Sequence, residues 1–202
     1  MLRTLLVACL LAASPTAFSQ SFYELPNAIQ SSTLKVEMLD GEQPMELSSV
    51  HGYRRAVAKP DQAFSIRLIN RTDERIWVVV AIDDINPRTG KRATQGQPGF
   101  ILDPGKTHII SQQKSEEGTT PLIFASKKKE KPGKVALAIF KERMDYPHLL
   151  PWGPKLQARV GGSVRVDEKT RKTSWVPPSG AAFRKMSTEP DQRLYLEYHT
   201  VE

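Results

Sequence analysis

Apolar and polar positions alternate with a period of two along much of this chain. Leu34, Val36 and Met38 are interleaved with Lys35 and Glu37, and Phe64, Ile66 and Leu68 with Ser65 and Arg67. Successive side chains of a strand point to opposite faces, so each segment predicts a strand with one apolar and one wet face. The run 75–83 (R-I-W-V-V-V-A-I-D) differs in being continuously apolar, rich in β-branched residues and too short for an ordinary helix. It predicts a central strand buried on both sides, with Trp77 in the core. Short apolar stretches at 107–110, 122–125, 135–140, 160–166 and 194–201 extend the series.

Turn chemistry separates these segments. Asn86-Pro87-Arg88-Thr89-Gly90 and Asp103-Pro104-Gly105 place Pro where a turn wants φ preset and Gly where it wants freedom. Neither a sustained helical period nor an internal repeat is present. The predicted fold is all-β: an antiparallel β-sandwich, Ig-like or a related Greek key. The polar stretch 20–33 predicts an irregular surface leader, and 34–202 a single domain. Within it, 144–173, with Pro147, Pro151 and Pro154 around His148, Trp152 and Gly153, predicts an irregular excursion that carries function or covers a sheet edge.

The first nineteen residues change the picture of where this domain works. Arg3, the apolar run 5–13 and the small residues Ala17 and Ser19 form the three-part layout of a secretory signal, with cleavage expected before Gln20. Leu6-Val7-Ala8-Cys9 has the spelling of a lipoprotein box, but only eight residues precede the cysteine, too few for an export core, so a soluble periplasmic or secreted protein is expected. Cys9 is the sole cysteine, so the mature chain would hold no disulfide and no thiolate metal site. No later apolar run is long enough to span a bilayer as a helix. A chain of 202 residues with 39% hydrophobic and 25% charged residues has too many apolar positions for wholesale disorder.

Charge adds a location. The formal net charge is +7, yet residues 127–172 hold thirteen basic and five acidic residues, +8, while the remainder of the expected mature chain is −2. Lys127, Lys128, Lys129, Lys131, Lys134, Arg165, Lys169, Arg171 and Lys172 are the candidate anion-binding residues. A stretch such as K-K-K-E-K-P-G-K also reads as a solvated hairpin tip. No aromatic residues are interleaved with the lysine run, and exported proteins rarely meet nucleic acid, so nucleic acid is not an expected partner. An anionic polymer, a lipid surface or a protein of the envelope is.

Catalytic signatures are weak. His51, His108, His148 and His199 are each at least forty residues apart, without an HExxH or any paired-His spacing. Asp83-Asp84 ahead of Asn86 offers oxygen ligands but lacks calcium-loop spacing, and predicts a turn whose carboxylates cap backbone amides. No GxSxG, SxxK, GxGxxG or P-loop occurs, so no cofactor is expected. Trp152 and Trp175, beside prolines, are candidates for lining a groove or packing an edge.

The order of motifs over 75–143 resembles a family of uncharacterised exported proteobacterial proteins. The residues that carry it are Val78-Val79-Val80-Ala81-Ile82-Asp83, the Asn86-Pro87-Arg88-Thr89-Gly90 turn, and Gly99-Phe100-Ile101-Leu102-Asp103-Pro104-Gly105. Lys114-Ser115, Leu122-Ile123-Phe124 and the strand 135–142 follow, and Phe183-Arg184 with Pro190 and 194–198 is similar to the family's last strand. The chain departs from that pattern at Ser111-Gln112-Gln113 and at 127–132. The resemblance implies an exported β domain, and the family, lacking an established activity, transfers no catalytic residues.

The leading expectation is therefore a non-enzymatic exported β-sandwich that binds an envelope partner, protein or anionic polymer, through loops and the basic stretch. The alternative is a hydrolase or metal enzyme with a site assembled from distant residues such as His108, His148 and Asp83. A third reading is a structural component of an envelope assembly built on the strand 75–83.

Overall fold

The computed structural model describes residues 27–126, 131–143 and 182–201, together with the backbone of 163–166 and 173–176. All regular structure among them is β. Fifteen strands follow in chain order: β1 Ile29–Gln30, β2 Leu34–Asp40, β3 Gln43–Pro44, β4 Leu47–Val50, β5 Tyr53–Ala58, β6 Ser65–Asn70, β7 Ile76–Ile82 and β8 Phe100–Leu102. They continue as β9 Thr107–Ile110, β10 Gln112–Ser115, β11 Gly118–Pro121, β12 Gly133–Lys141, β13 Ser163–Val166, β14 Thr173–Val176 and β15 Gln192–Thr200. A five-stranded sheet has the order β1-β2-β6-β9, with β3 on the end of β2, and a six-stranded sheet has the order β4-β5-β15-β12-β7-β8. Two further hairpins, β10-β11 and β13-β14, stand apart from both sheets.

The two sheets form a sandwich because the alternation of the sequence puts one apolar row of each strand on a shared core. Leu34, Val36 and Met38 of β2 and Ile66 and Leu68 of β6 face Val78 and Val80 of β7, Val135, Leu137 and Ile139 of β12, and Leu196 of β15 in one buried cluster. Register makes these rows continuous: Val36 lies opposite Leu68, and Leu137 lies between Val80 and Leu194. Each such side chain, removed from water, contributes roughly 1.5–3 kcal/mol. At one end of the core Phe64 stacks on Phe124 with ring centroids 4.2 Å apart, and Tyr198 tilts against both.

Several expectations are corrected by this arrangement. The leader is not all irregular surface: Ala28 and Ile29 are buried, β1 pairs with β2, and the Ser31 hydroxyl oxygen accepts from Thr33 N and Leu34 N to close the turn between them. Two apolar residues are too few to set up a periodic pattern, yet one inward side chain at a sheet edge is enough to bury. The antiparallel sandwich expected from the sequence does form, with one parallel pair in it, β15 beside β5. The wet face expected for β2 is partly closed, because Glu37 is buried between Lys35 Nζ at 2.7 Å and Arg67 Nε at 2.5 Å. Burial pushes its carboxyl up, but the two cations outweigh that and hold it below the ordinary carboxylate range.

The 75–83 strand forms as β7, flanked by β12 and the edge strand β8, with Ile76, Val78, Val80 and Ile82 in the core. Trp77 is not in that core. It points from the opposite face of the sheet and is half-buried, with Phe183 edge-on to its ring at 5.4 Å. Gly99 runs close beneath it: a Cβ there would fall 2.1 Å from Trp77 Nε1. Of the excursion, the hairpin β13-β14 is regular, and the rest of 144–173 lies outside the described residues.

Candidate functional site

Of the nine basic candidates, Lys127, Lys128, Lys129, Lys169, Arg171 and Lys172 lie outside the described residues, and Arg165 falls in β13 with only its backbone described. Lys131 and Lys134 are both exposed at the entry to β12. This entry is anchored from the end of β7. Asp83 and Asp84 both have positive φ, 47° and 66°, and Ile82 and Ile85 exchange N–H···O bonds of 2.8 and 2.9 Å across them. That is a two-residue hairpin turn with both central residues left-handed, a conformation the short polar Asp side chain tolerates.

The Asp83 carboxylate accepts from Lys134 N at 2.9 Å, and Asp83 N donates to the Lys134 carbonyl at 2.9 Å. Asp83 thus caps a backbone amide, as its turn position predicts, but on a neighbouring strand. Burial, with the charge of Asp83 and a hydrogen bond to it, pushes the Tyr198 phenol far above its usual value. Gly133 makes room for that ring, since a Cβ would lie 2.2 Å from Tyr198 Cζ. The base of the basic stretch is therefore held rigidly, with its lysine side chains turned to solvent.

Lys134 opens onto the outer face of the six-stranded sheet. Register places Arg55, Glu197 and Lys134 in one row across β5, β15 and β12. Arg55 Nη2 donates to Glu197 Oε2 at 2.6 Å, and the carboxylate is almost fully buried. On the same face Tyr195 lies in a row with Ala136 and Ala81, small side chains that rise little above the sheet, and is 51% exposed. Tyr53, two residues before Arg55 on β5, is 48% exposed. Arg193 occupies the row beyond. Sequence reasoning passed over the tyrosines, whose only signal is that they fall on the polar phase of their strands.

At the far end of this face the chain segment 183–186 straps over Trp77 and Phe140. Arg143 N donates to Arg184 O at 2.7 Å and Met186 N to Lys141 O at 3.0 Å, extending β12 into a short antiparallel pairing. Lys185 Nζ donates to the Gln95 carbonyl at 2.9 Å, sits 3.8 Å from the Phe140 centroid and 4.8 Å from that of Trp77, and has its pKa lowered by burial. Opposed to it, Arg75 and Glu142 form a buried ion pair, with Arg75 also 5.7 Å from the Phe183 ring.

The distant-residue active site expected as the alternative can be located only in part. His108 of β9 tilts against Phe100 of β8, ring centroids 4.7 Å apart, and Arg88 covers Phe100 at 5.8 Å. These three close the gap between the sheets where β8 and β9 form the edges. Burial, and then the Arg88 charge, lower the His108 pKa. Asn86, fully buried, sets the loop that carries Arg88: its side chain accepts from Arg88 N at 2.9 Å and donates to the Pro98 carbonyl at 3.0 Å. Asp83 is engaged elsewhere, His148 lies outside the described residues, His51 is an exposed turn residue with φ 50°, and His199 lies on the outer face of β15. Among the described residues no three His, Cys, Asp or Glu side chains converge as a metal site would require.

An open groove of about 720 Å³ lies between the β2-β3 hairpin and the ends of β4 and β5, with the exposed carboxylates of Asp40 and Glu46 in its walls. Gln43, Ser48, Val57, Lys59, Gln62 and Val201 are among its walls. A smaller recess of about 250 Å³ lies where the β10-β11 hairpin leaves the sandwich, lined by Ser65, Ser111 and Pro121. Neither contains His108 or Asp83. Among the described residues no helix is long and apolar enough to cross a membrane. No protein-family model, no curated protein and no solved structure matches this chain.

Proposed function

We propose that this chain is an exported, non-enzymatic β-sandwich protein that binds a partner in the cell envelope, an anionic polymer or a protein, through its basic stretch and the loops beside it. One observation carries the reading: +8 of formal charge is confined to residues 127–172, against −2 in the rest of the expected mature chain. Lys131 and Lys134 are exposed at the base of that stretch, which leaves their charge available to a polyanion. The resemblance of the order of turn and strand motifs over 75–143 to exported proteobacterial proteins supports the compartment, and the signal-like layout of residues 1–19 supports export.

The test is co-sedimentation of residues 20–202 with membrane and cell-wall fractions of the host across a salt series. Binding at low salt that disappears at high salt, and that weakens when Lys127, Lys128, Lys129 and Lys131 are changed to Gln, is the expected result. Salt-insensitive binding, or none, overturns it. Export is tested separately by N-terminal sequencing of the protein recovered from its host, which is expected to begin at Gln20; a chain that retains Met1 overturns it.

A further inference from the structure

We infer that β4, an open edge of the six-stranded sheet, pairs with β4 of a second copy of this chain, the two strands running antiparallel about a two-fold axis at Ser48. This contact is separate from the basic stretch and does not rest on the envelope reading. A two-residue turn, His51-Gly52 with φ of 50° and 80°, joins β4 to β5 and sets Val50 opposite Tyr53. So tight a turn closes on a pair that exchanges both main-chain hydrogen bonds, and such pairs alternate along an antiparallel ladder. Val50 and Ser48 therefore bond to β5, while the N–H and C=O of Leu47 and Ser49 point off the edge. Among the described residues these four groups find no hydrogen-bond partner.

The sequence of β4 leaves this edge unguarded. Leu47-Ser48-Ser49-Val50 carries neither charge nor proline, and Ser48 and Ser49 are exposed. Edge strands are ordinarily protected by charge, by proline or by being very short. The other edges of the two sheets follow that rule. β1 and β3 are two residues long and β3 ends in Pro44, while β8 has three residues and runs into Asp103-Pro104. At β9, Lys106 precedes the strand, and Arg88 lies near enough to His108 for its charge to be felt there.

An identical strand completes this edge. Antiparallel pairing about Ser48 sets Leu47 opposite Ser49 of the partner subunit and Ser49 opposite the partner's Leu47, so four main-chain hydrogen bonds use every outward group on both copies. Ser48 faces the partner's Ser48 as a non-hydrogen-bonded pair, with Cα atoms about 4.5 Å apart and two small side chains between them. Charge fits as well. The groove opens at the start of β4, where its walls hold Asp40 and Glu46 against one cation, Lys59. The antiparallel arrangement carries the His51-Gly52 turn of the second copy to that end. Glu46 falls opposite Val50 of the partner subunit and next to the partner's His51, whose imidazole is exposed and offers a donor to the carboxylate. The two Glu46 residues are kept four strand positions apart, roughly 14 Å, so like charges do not meet. Each copy presents the same patch to the other, as a closed two-fold dimer requires.

The test is sedimentation velocity of the protein recovered from its host, over a concentration series. A contact this short lies at the weak end of protein–protein interfaces, so a monomer–dimer equilibrium in the micromolar range is expected. Ser48→Lys puts like charges directly across the axis, and Ser49→Pro removes an N–H that β5 does not use; each is expected to weaken the dimer about tenfold or more while the monomer keeps its melting temperature. Register is read by cross-linking in a Cys9→Ser background with copper phenanthroline as oxidant. Ser48→Cys is expected to give a disulfide-linked dimer, and Val57→Cys, exposed on the same face but one strand in from the edge, is not. This last pair keeps the test independent of how the lysine and proline variants fold. A monomer at every concentration, a dimer that both Ser48→Lys and Ser49→Pro leave intact, or cross-linking no greater at Ser48→Cys than at Val57→Cys overturns the inference.

Discussion

Arg75 and Glu142 form a buried, two-point ion pair that ties the start of β7 to the residue following β12. Arg75 Nε donates to Glu142 Oε2 at 2.8 Å, Arg75 Nη2 reaches Oε1, and both side chains are less than a tenth exposed. The pair raises the Arg75 pKa, the hydrogen bond it donates to Glu142 outweighing the cost of burial. Removing one partner leaves the other charge buried and alone. Glu142→Ala is expected to cost about 3–5 kcal/mol, while the double variant Arg75→Met/Glu142→Leu recovers most of that loss. Urea unfolding of the three proteins checks this; equal losses for single and double variants would show that the pair is not the source.

Packing at Trp77 gives a second prediction. A Cβ on Gly99 would lie 2.1 Å from Trp77 Nε1 and 2.5 Å from the Val78 carbonyl oxygen, whereas one on Gly96 meets nothing within 4 Å. Gly99→Ala is expected to destabilise by about 1–3 kcal/mol through overpacking, and Gly96→Ala to leave the melting temperature nearly unchanged. Tryptophan fluorescence should shift in the first variant only. A stable Gly99→Ala would mean that the tryptophan swings clear at little cost.

Acid should act on stability in two stages. His108 has its folded pKa lowered, by burial first and by Arg88 second. The unfolded chain therefore takes up the proton more readily, so the stability His108 contributes is complete above about pH 6.5 and is lost as pH falls through its lower folded value. Glu37, also lowered, adds stability that is present above about pH 4.5 and disappears as pH falls through its own folded value. His108→Phe, which keeps a ring on Phe100, should flatten the first decline, and Glu37→Gln the second. Urea midpoints from pH 7.5 to 3 measure both; an unchanged profile in either variant assigns that decline to another group.

The strands with strict alternation were legible in the sequence because burial on one face leaves a period of two: β2, β6, β9, β12 and β15 all form where apolar residues recur. Pairing was not legible. Local alternation says which side of a strand is buried, not which strand lies beside it, so the insertion of β15 between β5 and β12 leaves no local mark. Short elements such as β1, β3 and the polar β10-β11 hairpin lack enough apolar positions to show a period. Trp77 was misplaced because a continuous apolar run does not reveal which phase faces the core. The basic candidates were visible as composition, but the Arg55–Glu197–Lys134 row depends on a register between residues far apart in sequence.

That insertion has a consequence for how the molecule is made. β5 and β12 each have one side waiting for β15, and the Arg55–Glu197 contact spans 142 positions of sequence. As synthesis proceeds, the six-stranded sheet exists only as two fragments, β4-β5 and β12-β7-β8, until residues 192–200 have been added. A nascent chain is thereby kept from closing its larger sheet early. The same gap is a point of hazard, because two unpaired strand sides would accept any extended segment that reached them before β15.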